Sequence, residues 1–179
     1  MPAYYTYLIS SLPTLELADG LPFSLEEFLL KCEGLIPEEK IVTLRRISSS
    51  EGALEISKTA RIETLKNWLD FEINLRNELA RARAGRKKLG PEEFIRQPDN
   101  PQAHIIHTAL SAYRNTSILD AEKFLDQERW NFLDFLSFGH YFDFDFLLIY
   151  VLKLKILERW VRIQKADKEA LFNQAVLKS

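Results

Sequence analysis

The sequence predicts an all-α protein of about seven helices, two of them long and packed antiparallel, within a single domain. Apolar residues recur at three- and four-residue steps along most of the chain, the period of a helix face. Start and stop signals for helices stand at the ends of those stretches, and the six glycines and seven prolines cluster at a handful of places. Beyond residue 12 no segment alternates apolar and polar side chains with the two-residue period of a half-buried strand. A chain of 179 residues, 46% apolar and 28% charged, fits one domain and is long enough to bury a substantial core.

The opening Tyr4-Tyr5-Thr6-Tyr7-Leu8-Ile9 fits a helix through Tyr5, Leu8, Ile9 and Leu12, and fits a strand through its Tyr and Thr content. Pro13 ends whichever forms. Ser24-Leu25-Glu26-Glu27 is a capping box that opens a helix to about Glu33, with Gly34 as its stop. Pro37, followed by Glu38 and Glu39 at the positive end of the helix dipole, opens a second helix to about Ile47. Ser48-Ser49-Ser50-Glu51-Gly52 reads as a loop.

A long helix is expected over roughly 57–84. Ile62, Leu65, Leu69, Ile73 and Leu79 form its stripe, Trp68, Phe71 and Leu75 widen it, and Asn67, Asp70, Asn74, Asn77 and Arg81 make a polar row opposite. Cations and Gly85 end it. A short helix follows Gly90-Pro91, and Pro98 and Pro101 bracket a turn. Residues 102–114 form the next helix. Another runs from about Ser117 to Phe138, with Ile118, Ala121, Leu125, Phe132 and Phe135 on its inner side, until Gly139 reverses the chain. The last helix spans Asp143 to about Leu177. Its front half is apolar on two adjoining faces and belongs in the core, while its tail, with Ala166, Ala170, Leu171 and Ala175, is more exposed.

Composition excludes several classes of function. Cys32 is the single cysteine, and the start of the chain lacks a basic and apolar leader, so a reducing, cytoplasmic setting is expected. The longest apolar run, 146–152, is far short of the roughly 20 residues that cross a bilayer. No direct membrane insertion is expected. The net charge of −2 divides into −5 over residues 1–57, +3 over 58–100 and zero beyond. That polarised surface suits docking and is too mild for a polybasic nucleic-acid binder.

No catalytic constellation emerges. His104 and His107 share a helix face, and Asp143 and Asp145 follow His140, but there is no Glu-x-x-His, no His-Glu-x-x-His and no Cys pair. Cys32 lies between Leu29 and Leu35 with Glu26, Glu27 and Glu33 nearby, which suits a small buried thiol and disfavours a reactive one. No nucleophile elbow or Gly-rich phosphate loop is present. No catalytic residue, metal ligand or cofactor is therefore assigned.

Two features stand out. Arg76, Arg81, Arg83, Arg86, Lys87 and Lys88 form a basic cluster, either a docking patch for an acidic partner or favourable charge at a helix end. No aromatic residue interleaves with these cations, so nucleic acid is not the expected partner. The aromatic run Trp130, Phe132, Phe135, Phe138, Tyr141, Phe142, Phe144 and Phe146 is too dense to face inward throughout, and part of it is a candidate interface.

Three stretches carry a resemblance. Tyr4-Tyr5-Thr6-Tyr7-Leu8-Ile9-Ser10-Ser11-Leu12-Pro13, with Pro22-Phe23-Ser24 and Glu26-Glu27-Phe28, resembles a small bacterial family of unassigned function encoded among the subunits of V-type ATPases. Asp70-Phe71-Glu72-Ile73-Asn74-Leu75-Arg76, leading into Arg81-Ala82-Arg83-Ala84-Gly85, is similar to the Asn-Leu-Arg and Arg-Ala-Arg pattern of the V-type ATPase C (eukaryotic d) subunit. More loosely, Tyr150-Val151-Leu152-Lys153-Leu154-Lys155-Ile156-Leu157-Glu158-Arg159 is similar to later helices of that subunit. The resemblance implies an all-helical, non-catalytic part that couples stalk to membrane ring. The chain is about half the expected length of that subunit, which implies a reduced version or an assembly factor. Central-stalk subunits or the membrane ring are then the partners, the location is peripheral to the inner membrane through the complex, and Asn74, Asn77, Arg81, Arg83, Arg86, Lys87 and Lys88 are the candidate contact residues. The alternative is a free-standing helical adaptor.

Overall fold

The computed structural model describes the backbone of residues 4–97, 100 and 102–176, and the side chains of these up to Ala166 apart from Ser50. Among them are eight α-helices and no strand: α1 (Tyr5–Ser11), α2 (Leu25–Cys32), α3 (Glu38–Ile47), α4 (Ser50–Thr59), α5 (Glu63–Lys87), α6 (Ala103–Arg114), α7 (Ile118–Ser137) and α8 (Phe144–Val176). A 3-10 turn at Glu92–Phe94 lies between α5 and α6. The expected Pro98–Pro101 turn lies outside the described residues, as do residue 177 and the side chains of Ala170, Leu171 and Ala175.

The helices gather into two compact units. One is built from the chain up to Ile56 together with the chain from Ser137 onward, and the other from Ser57–Leu136.

In the first unit α8 is the spine. From Leu147 to Leu152 every side chain is buried, and Leu154, Ile156 and Leu157 extend the burial. A helix that is apolar all round has to be enclosed, and α2 and α3 both pack on it. α2 presents Leu25, Phe28, Leu29 and Cys32, a clean one-face repeat; α3 presents Ile41, Leu44 and Ile47. Exposure returns along α8 at Val161, Arg162 and Ala166, in line with a core-facing front and a more exposed tail.

Local chemistry explains the starts of these helices. Ser24 Oγ accepts from the Glu27 amide and Glu27 Oε2 accepts from the Ser24 amide, closing the capping box. Glu158 Oε1 of α8 accepts from the Leu25 amide at 2.8 Å, so a further donor at the start of α2 is satisfied by a distant side chain. The ambiguous opening is helical. α1 buries Leu8 and Ile9, and the Tyr4 amide, on its N-terminal flank, donates to the Leu35 carbonyl at 2.8 Å.

Ser48–Gly52 is a correction: a loop is expected there, and α4 begins within it. Ser49 caps that helix, its Oγ accepting from the Gly52 amide at 3.0 Å and its carbonyl from Ala53. Gly52 is needed because a Cβ there would collide with the Arg46 carbonyl oxygen. The long helix expected over 57–84 is also divided. α4 ends at Thr59, the backbone is extended at Ile62, and α5 starts at Glu63. The passage from the first unit to the second falls within α4, between Ile56 and Ser57, a few residues before this break.

The second unit has a more polar interior. α5 buries Leu65, Trp68, Phe71, Leu75 and Leu79, and α6 packs along it through Ile105, Thr108, Ala109 and Ala112. Phe71 stacks on Phe132 of α7 with centroids 4.2 Å apart. The inner face of α7 is Leu125, Asp126, Trp130 and Leu133, while Ile118 and Phe135, expected inside, are 84% and 72% exposed. A guanidinium accounts for this rotation. Arg129 Nε lies 2.6 Å from Glu72 Oε1, and Arg129 Nη1 lies 2.9 Å from Asp126 Oδ1. Burial alone would lower the affinity of Arg129 for its proton, but the two carboxylates more than offset that, and its pKa is raised. The group stays cationic inside.

Arg129→Met leaves the buried Asp126 and the mostly buried Glu72 without their shared cation. It is expected to lower the unfolding free energy in urea by about 3–5 kcal/mol. The all-apolar variant Glu72→Leu/Asp126→Leu/Arg129→Met is expected to recover most of that loss, and failure to recover would mean the charges themselves specify the packing.

Candidate functional site

The candidate contact residues lie on α5 and at its C-cap, Lys88, and the structure sorts them into three groups. Asn74 and Asn77 are buried, so the polar row does not face solvent at these positions. Asn77 holds the segment after α5 by a reciprocal pair: its Nδ2 donates to the Arg96 carbonyl at 2.8 Å, and its Oδ1 accepts from the Arg96 amide at 2.9 Å. Asn74 Oδ1 accepts from the Asn100 amide at 2.9 Å, while its Nδ2 donates to the Asp70 carbonyl of its own helix. Backbone that runs over a helix face needs partners for its amides and carbonyls. The two asparagine side chains supply them. The correction is physical: covering chain occupies the surface that the row would otherwise show.

Arg81 is half-buried and pairs with Glu78, itself 8% exposed. Arg83, Arg86, Lys87 and Lys88 are exposed, and make no ion pair among the described residues. Arg83, Arg86 and Lys87 stand three and four apart, so they share one face of the last turns of α5. Gly85 does not stop the helix as expected. The stop is Lys88, left-handed at φ 56°, with the Leu89 amide donating to the Ala84 carbonyl at 3.1 Å. Cations there complement the negative end of the dipole. Leu89 and Phe94, which follow on the connecting segment, are each about half exposed.

The first unit carries the second surface feature. Phe138, Tyr141 and Phe142 are exposed, Phe138 by 85%, whereas Phe144 is buried with Lys40 Nζ 4.6 Å from its ring centre. Gly139, at φ +89°, makes the turn that a side chain would strain. Asp143 then opens α8: its Oδ1 accepts from the Phe146 amide at 2.9 Å, and its Oδ2 lies 2.6 Å from His140 Nδ1.

The donor atoms of His140, Asp143 and Asp145 lie within 4.8 Å of one another. Both Asp143 oxygens are already engaged, and the positive end of a long helix opposes a cation. The arrangement reads as a capped helix start. The hydrogen bond to Asp143 raises the pKa of His140. His104 and His107 are exposed on α6 and gather no third ligand among the described residues. Cys32 is fully buried, and burial pushes its pKa up to about 12, so it is an inert thiol at neutral pH.

Residues 98–178 match the profile of a family described as "Protein of unknown function (DUF2764)", a stretch that takes in α6, α7 and α8. No curated protein and no solved structure matches the chain.

Asn77→Ala removes both bonds to Arg96 and leaves its amide and carbonyl without these partners. It is expected to cost about 2 kcal/mol or more of stability, and to speed hydrogen exchange at the Arg96 amide well beyond the global change. Unchanged exchange there would show that the segment is held by other means. For the His140–Asp143 pair, the folded pKa lies above the unfolded one. Its stabilisation is complete below about pH 6.5 and is lost as pH rises through the folded value. The gap in melting temperature between wild type and His140→Gln should therefore shrink from that pH upward, modestly because the pair is half-exposed. A gap independent of pH would contradict the pairing.

Proposed function

We propose that this chain is a non-catalytic subunit or assembly factor of a bacterial V-type ATPase, similar to its C subunit, working by shape and protein contact. The resemblance in residues 4–28 and 70–85 gives the system. The observation that carries a contact role is the exposed turn of Phe138, Tyr141 and Phe142, three large aromatic side chains left at the surface beside the capped start of α8. Exposed aromatic clusters are characteristic of interface cores. In this reading the turn seats against a stalk subunit or the ring, peripheral to the inner membrane.

The same turn supports the second reading, a free-standing helical adaptor that uses it on an unrelated partner. Affinity purification from the native cell separates the two. ATPase catalytic and stalk subunits are expected to co-elute with the wild-type chain and to be lost from Phe138→Ser/Tyr141→Ser/Phe142→Ser. Recovery of unrelated partners alone would favour the adaptor, and co-elution unaffected by the triple variant would remove the turn from the contact.

A further inference from the structure

We infer that the C-terminal end of α5 is a peripheral docking surface for an anionic lipid membrane. Arg83, Arg86 and Lys87 share one helix face, Lys88 follows on the left-handed residue that ends the helix, and all four are exposed. Their side chains make no ion pair among the described residues. No carboxylate occurs in the sequence from Leu79 to Pro91 to neutralise them. Two apolar side chains follow in the chain, Leu89 directly after the cations and Phe94 on the 3-10 turn, each about half exposed. Glu92 and Glu93 stand on that turn, and with Arg96 included the stretch 83–96 keeps a net charge of +3.

This chemistry favours lipid over an acidic protein for two reasons. Protein interfaces favour Arg but are depleted in Lys, and two of these four cations are Lys, whereas four or more Lys and Arg clustered on an amphipathic helix suit anionic headgroups. Beside such cations, exposed Leu and Phe have a use at a bilayer surface, since they reach the boundary where headgroups meet acyl chains. No helix of the described residues is long and apolar enough to cross a membrane, so the contact is peripheral. The inference stands independently of the ATPase reading.

The test uses the full chain and sedimentation with two vesicle types, phosphatidylcholine alone and phosphatidylcholine with about one phosphatidylglycerol in three. The wild type is expected to sediment with the anionic vesicles only, and less so as salt rises. Each cation removed should lower partitioning about fivefold, so Arg83→Gln/Arg86→Gln/Lys87→Gln should lower it about a hundredfold. Leu89→Ser/Phe94→Ser should weaken the binding that persists at high salt. Circular dichroism checks that the variants fold; these side chains are exposed, so folding should be kept. Lys66→Gln, an exposed cation elsewhere on α5, is the control and should change partitioning little.

Equal binding to neutral vesicles, no binding to either, or a Lys66→Gln loss as large as the triple variant's would overturn the inference. So would a wild type that ignores vesicles but loses its co-purifying proteins when the three cations are removed, since the face would then belong to an acidic protein. Failure of the ATPase reading alone leaves the vesicle result unchanged.

Discussion

A mostly buried guanidinium between two carboxylates is the constraint on which the second unit depends. Arg129 and Asp126 sit one turn apart on α7, and Glu72 comes from α5, so the three charges fix one helix against the other in rotation and in register. Apolar contacts alone tolerate a helix turning by a fraction of a residue; the charge-assisted hydrogen bond from Arg129 to Glu72 at 2.6 Å does not, and the 2.9 Å bond to Asp126 holds the guanidinium in place on its own helix. Desolvating a lone charge is costly, and the cost is met here only because all three groups are placed together. Rotation of α7 to hold this triad brings Trp130 and Leu133 into the core and leaves Ile118 and Phe135 outside.

Polar burial continues along α5. Glu78 takes Arg81, Asn77 takes the backbone at Arg96, and Asn74 takes Asn100. The two asparagines hold the segment after α5 at Arg96 and Asn100 against its own helix, with main-chain groups satisfied by amide side chains in place of a regular ladder. The consequence for function is one of selection. Interior roles absorb the Asn residues and Arg81, and the cations beyond them are left exposed at a helix end, without an ion pair among the described residues.

The first unit follows a different principle. Its spine is the continuous apolar front of α8, enclosed by α2 and α3, with few polar groups to satisfy. Tyr150 is one: its hydroxyl donates to the Pro13 carbonyl at 3.0 Å, its ring lies 5.2 Å from Phe28, and burial raises its pKa, so it serves as a bolt between the N-terminal segment and the spine. Just before this rigid helix, the Gly139 turn holds aromatic side chains at the surface. Water contact for Phe138, Tyr141 and Phe142 contributes nothing to folding, which is why they are read as an interaction surface.

Helices whose burial is apolar were legible from the chain alone. The capping box at Ser24, the face Leu25, Phe28, Leu29 and Cys32, the enclosed front of α8 and the helix break at Gly139 all follow from periodicity and backbone chemistry, which act locally. Helical identity after the ambiguous opening, the start of α4 inside a serine run, and the end of α5 at Lys88 needed the folded chain. There a Ser49 hydroxyl, a close approach at Gly52 and a left-handed lysine settled matters that composition left open. Polar burial was the larger gap. Asp126, Arg129, Glu72, Asn74 and Asn77 look like a solvated face in sequence, because hydropathy scores each residue singly and a buried charge or amide is stable only with its partner. Asp126 finds Arg129 one turn along its own helix, but the partners that Glu72, Asn74 and Asn77 take from beyond their own helix lie 19 to 57 residues away, a pairing that only the tertiary structure can make.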